Sequence, residues 1–176
     1  MKVELLINGE KVKLGHRFLE SICRDIPDIK ENIKIFNILA KSTNYEVREY
    51  ISRNDNLSNE TIEILLNDIS EVVVDNLLSN RDINKKISDE QLKVIIEKDN
   101  IKLLTTIGSN IDDFKSCNRC KHIKYFAKHP SSKVRYSLFN YNISDLITTE
   151  TLVELSKDED FDVSREAKKD LKNRNN

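Results

Sequence analysis

Leu39-Ala40-Lys41-Ser42-Thr43-Asn44-Tyr45-Glu46-Val47-Arg48 returns as Phe126-Ala127-Lys128-His129-Pro130-Ser131-Ser132-Lys133-Val134-Arg135. It returns again as Leu155-Ser156-Lys157-Asp158-Glu159-Asp160-Phe161-Asp162-Val163, with Arg165 displaced by one. Weaker copies start at Leu65 and Ile96, so the anchors stand 26, 31, 30 and 29 residues apart. Eight positions after each anchor comes an apolar residue: Val47, Val73, Leu104, Val134 or Val163. Self-similarity at this period means stacked supersecondary units, none of which buries its apolar face alone.

A second motif lies between the anchors. Leu57-Ser58-Asn59-Glu60-Thr61-Ile62, Ile87-Ser88-Asp89-Glu90-Gln91-Leu92 and Ile147-Thr148-Thr149-Glu150-Thr151-Leu152 all read apolar, hydroxyl, any, Glu, any, apolar or nearly so. This is a helix start. The hydroxyl accepts from orphan N–H groups, the Glu complements the helix dipole, and the preceding apolar residue packs back as a staple. Ser88 with Gln91 fits a capping box; the copy around Ser116 lacks the Glu. Each unit is therefore expected to be two short helices, one ending at the anchor and the next carrying Val-Arg or its equivalent. The last unit closes on the polar run Lys168-Lys169-Asp170-Leu171-Lys172-Asn173-Arg174.

Working outward, Asn8-Gly9 predicts a type I′ hairpin pairing Leu5 with Val12, Val3 with Leu14, Glu4 with Lys13 and Ile7 with Glu10. Phe18, Ile22 and Ile26 predict a helix after it. A further helix is expected from Pro27, with Asp25 as N-cap and a buried stripe of Ile29, Ile33, Phe36 and Ala40.

The unit Asn44-Tyr45-Glu46-Val47-Arg48, Asn54, then Leu57 to Leu65, resembles HEAT-like repeats and is most similar to the leucine-rich repeat variant family. The resemblance covers roughly residues 37–176 and weakens where Val74-Asp75 and Leu104-Thr105 replace Val-Arg. It implies a right-handed α-helical solenoid used for macromolecular contacts, and no activity. The expectation is an all-α chain, apart from a β-hairpin and helical cap at 1–36, with about five two-helix repeats over 37–176.

Composition agrees. Of 176 residues, 34% are charged, while Gly and Pro number only three and two. That mix favours helices joined by short turns. A net charge of −1 argues against a generally basic nucleic-acid binder. Met1–Ile7 runs straight into Asn8-Gly9-Glu10-Lys11, so no signal-peptide core forms, and no apolar run is long enough to span a membrane. Three cysteines without a secretory context are expected to be reduced thiols in a cytoplasm. The Asn-, Ile- and Lys-rich composition fits an AT-rich bacterial or phage source.

Catalytic motifs are missing. The glycines are Gly9, Gly15 and Gly108, so no phosphate loop exists, and there is no Gly-x-Ser-x-Gly or His-Glu-x-x-His. Cys117, Cys120 and His122, with His129 nearby, invite a zinc reading, but zinc wants four convergent ligands and His122 is rotated off the Cys117–Cys120 face. A redox pair there lacks a thioredoxin-type context. The plainer reading is ordinary helix residues, so no metal and no cofactor are expected. Asp112-Asp113 and Asp158-Glu159-Asp160 read as solvated caps. Arg48, Arg135 and Arg165 form either a basic ladder or, the better reading, stems packed on the next unit with paired heads.

One segment breaks the pattern. Residues 115–141 hold Lys115, Arg119, Lys121, Lys124, Lys128, Lys133 and Arg135 and no carboxylate, a local charge of +7 that leaves −8 for the rest. They also hold Tyr125, Phe126, Tyr136, Phe139 and Tyr141, five of eleven aromatics. Those seven cations with Tyr136 are the candidate patch for an anionic partner. The expected function is a non-enzymatic, monomeric scaffold binding a protein with an acidic surface. Nucleic acid on the same patch is the alternative, and an enzyme acting on damaged substrates, built on such a frame, is a third reading that needs a deep polar pocket.

Overall fold

A computed structural model describes residues 5–7, 9–12, 16–115, 118–139 and 144–174. Two antiparallel strands, β1 (Leu5–Ile7) and β2 (Glu10–Val12), come first. Leu5 pairs with Val12 and Ile7 with Glu10, the expected register, and Gly9 sits at φ +86 where a side chain is disfavoured. The further expected pairs, Val3 with Leu14 and Glu4 with Lys13, and the turn residue Asn8 lie outside the described residues.

The other regular elements among the described residues are helical. The helices are α1 (His16–Asp25), α2 (Ile33–Leu39), α3 (Tyr45–Ser52), α4 (Asn59–Leu66), α5 (Glu71–Leu78), α6 (Arg81–Asn84), α7 (Asp89–Glu97), α8 (Ile101–Ser109), α9 (Arg119–Ala127), α10 (Ser132–Ser137), α11 (Thr149–Leu155) and α12 (Phe161–Arg174). The chain divides into two compact units, Met1–Ile83 and Asn84–Asn176. In the first, α1, α3 and α5 stack on one another and α2 stacks on α4. In the second, α8, α10 and α12 form one layer, and α9 and α11 another. Each unit is thus a two-layer stack of helix pairs, the arrangement of an α-helical repeat protein.

The repeat positions explain the core. The anchors Leu39, Leu65, Phe126 and Leu155 end the second helix of each pair and are buried. Val47, Val73, Val134 and Val163 are fully buried in the following first helices. Each such side chain contributes about 1.5–3 kcal/mol by leaving water. Ser58, Ser88 and Thr148 are N-caps, accepting from the N–H of Thr61 (3.1 Å), Gln91 (3.2 Å) and Thr151 (3.3 Å). Gln91 Oε1 accepts back from Ser88 N–H at 3.0 Å, completing the capping box. The preceding Leu57, Ile87 and Ile147 are buried. Ser116 lies outside the described residues; α9 begins instead behind Asn118, with no side-chain cap bond.

Two expectations are corrected. No helix starts at Pro27: a single 3-10 turn covers Lys30–Asn32 and α2 begins at Ile33. Asp28 draws this segment toward the loop before α4, accepting from the N–H groups of Asp55 (2.6 Å) and Asn56 (3.0 Å). Ile29 is left 45% exposed, while Phe36 and Ala40 are buried as expected. In the third copy the anchor shifts by one. Asn100 caps α8, so Leu103 stands where Val47 stands after Asn44, and the matching anchor is Ile95 rather than Ile96. Asp99, with φ 52, absorbs the offset in the loop between α7 and α8.

Candidate interaction surface

α9 carries the centre of the proposed patch. Ile123, Phe126 and Ala127 are buried, and the 3.6-residue period then turns Lys121, Lys124, Tyr125 and Lys128 to solvent. Lys115, in the loop before α9, and Lys133 on α10 are exposed as well. Tyr136 is half-buried, its ring tilted against Phe139 at 6.4 Å. Tyr141 and Cys117 lie outside the described residues.

Two of the expected cations turn inward. Arg119 is half-buried and donates from Nη2 to the carbonyls of Phe114 (2.5 Å) and Asp112 (3.2 Å), closing the loop behind α8. Arg135 is buried, its guanidinium bound through both Nε and Nη2 to Asp158 at 2.7 and 2.8 Å, and through Nη1 to the carbonyls of His129 (2.9 Å) and Pro130 (2.8 Å). It is not part of an exposed face. Arg48 does the same in the first unit, pairing with Asp68 and donating to Ser42 O at 2.7 Å. Arg165 leaves the ladder: it is exposed, pairs with Asp162 at 2.7 Å and lies over the Phe161 ring, while Ser164 occupies the buried position.

The carboxylate-free segment gains carboxylates in space. Glu154 of α11 stands 3.8 Å from Lys128. Glu150, also on α11, is held below its usual range by its own backbone N–H and the Thr148 hydroxyl, with Lys124 adding to the effect. Lys121 shares a cleft of about 470 Å³ with His122, Asn118, Asp89, Glu90 and Lys93. Lys133 and Tyr136 share a smaller one, about 190 Å³, with Ser132, Asp160 and Asp162. The outer face of α9 is a lysine row around one tyrosine, bracketed by acidic side chains.

The histidines are placed differently. His129 is buried; its Nδ1 accepts from Ser131 N–H at 3.0 Å, so Nε2 carries the proton it shares with Asp99 at 2.9 Å. Tyr125 donates to the same Asp99 oxygen at 3.2 Å. The two bonds hold Asp99 below the usual carboxylate range, His129 contributing more. Burial, then the Asp99 bond, raises the Tyr125 phenol. Both ring nitrogens of His129 are engaged, so this knot orients Tyr125 and His129 offers no free base. His122 is half-buried; burial lowers its pKa against the opposing charge of Asp89. No described group hydrogen-bonds its Nε2. Cys120 is exposed, and among the described residues no three His, Cys, Asp or Glu side chains gather as metal ligands.

Sequence reading missed the partners Asp68 and Asp99, and took Asp158 for a solvated cap where its side chain is only 8% exposed. Their signal was available: Asp68 and Asp158 precede the next N-cap by two residues wherever the unit before carries the buried Arg. Among the described residues no helix is long and apolar enough to cross a membrane.

No protein-family model matches this chain, and no curated protein matches it. Among solved structures it is similar to a designed armadillo repeat protein at 16% identity and a TM-score of 0.43, over 91% of this chain and 94% of that one.

Proposed function

We propose that this chain is a non-enzymatic cytoplasmic scaffold of the HEAT-like, leucine-rich repeat variant kind, with a cap over 1–36 and about five repeats over 37–176. It binds another protein through the outer face of α9. The observation that supports this is the exposed row Lys121, Lys124 and Lys128 around Tyr125 on one regular helix. A lysine row beside an exposed aromatic ring fits an acidic protein surface, with the ring as the apolar anchor. Lys115 and Lys133 extend the positive charge at the rim, where charge governs encounter rate more than affinity.

The second reading, nucleic acid on the same face, is favoured by the carboxylate-free sequence. The bracketing Glu150 and Glu154 weigh against it, because a phosphate track crossing α9 would run onto them. The test reverses Lys121, Lys124 and Lys128 to Glu and compares what wild type and variant recover from cell extract. The expected result is a folded variant that loses a protein partner. Recovery of the same partner at the same salt by the folded variant overturns the proposal. Loss of a nucleic acid, with a log–log salt slope near one per phosphate contacted, installs the second reading.

A further inference from the structure

We infer that the acidic outer face of α4 in one copy of this chain docks on the lysine face of α9 in a second copy. The inference rests on the reading of α9 as a binding face and names its occupant.

The two helices are the same element of the repeat. Aligned on their buried anchors, Leu65 and Phe126, they place Glu60 where α9 has Lys121, Glu63 where it has Lys124, and Ile64 where it has Tyr125. Glu60, Glu63, Lys121, Lys124 and Tyr125 are exposed and Ile64 is half-buried. Both charged pairs are three residues apart, so they share a face on each helix. Because the spacing is equal, both Glu–Lys contacts form whether the helices lie parallel or antiparallel, and in the parallel arrangement Ile64 also meets Tyr125, one residue beyond the Glu63–Lys124 contact.

The surrounding charge points the same way. From Asn54 to Asn80 the chain has six carboxylates and no Lys or Arg, the converse of 115–141. A net charge of −1 leaves no long-range repulsion between copies, and charge segregated this way on a nearly neutral chain promotes association. Existing partners do not consume these groups. Glu60 bonds Lys41 Nζ at 3.0 Å and Asn37 at 2.7 Å, yet its side chain remains 61% exposed. Glu63 and Lys121 have no ion pair among the described residues. Exposed ion pairs are individually weak and screened, so the contact is reversible and salt-labile, and the expectation of a strict monomer gives way to a concentration-dependent equilibrium.

Analytical ultracentrifugation of the full chain tests this, with the protein itself as probe. Wild type should exceed its monomer mass of 20.5 kDa as concentration rises at about 0.02 M salt, and return to it at about 0.5 M. Glu60→Lys with Glu63→Lys should stay monomeric, as should Lys121→Glu with Lys124→Glu. An equimolar mixture of the two variants should associate again, because one is then basic on both helices and the other acidic on both. Circular dichroism melts establish that each variant is folded. A wild type monomeric at every concentration in low salt overturns the inference, as do reversed variants that associate like wild type. If the chain is monomeric but the lysine reversal still loses a captured acidic protein, the homotypic contact falls and the binding reading of α9 stands. If the reversal loses nothing, both fall.

Discussion

Arg135 and Asp158 meet through two parallel hydrogen bonds of 2.7 and 2.8 Å, with both side chains less than a tenth exposed. The same guanidinium holds the carbonyls of His129 and Pro130, so one side chain ties the loop before α10 to the loop before α12. Arg48 ties Ser42 to Asp68 in the same way. Asp68 and Asp158 also accept from the N–H of Ser70 and Asp160, which fixes the entry to the next helix. A planar fork suits this task, and lysine would not reproduce it.

Arg135→Ala should therefore destabilise the second unit by roughly 3 kcal/mol, because it leaves the buried Asp158 carboxylate without its counter-charge. Adding Asp158→Ala should restore part of the loss. Arg165→Ala, at the exposed position next to the ladder, should change stability by under about 0.5 kcal/mol. Urea denaturation of the four proteins checks this. Equal effects of Arg135→Ala and Arg165→Ala would contradict it.

A Cβ added at Gly108 would stand 2.0 Å from Ser137 Oγ and 3.1 Å from Ser137 Cβ, where α8 and α10 press together. The Ser137 hydroxyl, now donating to Val134 O at 2.7 Å, would have to move. Gly108→Ala gains about 1 kcal/mol of helix propensity, against an overpacking cost of about 1–3 kcal/mol. The expected net is a lower melting temperature, recovered in good part by Ser137→Ala in the same chain. A stabilised Gly108→Ala protein would mean that the two helices separate easily.

These two contacts show where the sequence was legible. Period, N-caps and buried anchors were readable because they are local: Ser58 and Thr61, or Val47 within α3, are set by neighbours in the chain. The third copy slipped by a residue because Ile95 and Ile96 are both apolar and both buried, so only the Asn100 cap decides between them. Arg135 was counted in the candidate patch as well as, on the better reading, among the stems with paired heads; its partner could not be named because Asp158 lies 23 residues away, in the next repeat. The stretch that is carboxylate-free in sequence has carboxylates beside it in space for the same reason. Charge in a stacked repeat is balanced between neighbouring repeats, by Glu154 against Lys128, rather than along the chain.

Glu46 is held above its usual pKa, first by a hydrogen bond to Glu20 and then by the charges of Glu20 and Glu49, with Arg24 opposing. Glu20 on α1 is itself fixed by Asn44 Nδ2 at 3.0 Å. A folded-state pKa above the unfolded value of 4.5 gives stability that is complete below 4.5 and lost as pH rises through the folded value. Glu46→Gln has no such proton to lose. Its melting temperature relative to wild type should rise between acid and neutral pH, measured in thermal melts at matched ionic strength. A difference that stays flat across that range would contradict a shared proton between α1 and α3.

Lysine acylation footprinting of the protein with its recovered partner tests the central claim most directly, because it reads each amine separately by mass spectrometry. The account predicts that Lys121, Lys124 and Lys128 on α9 become protected by a bound protein, while Lys30 and Lys34 before and on α2 and Lys157 after α11 react as in the free chain. Unchanged reactivity on α9, with protection confined to lysines elsewhere, would contradict it.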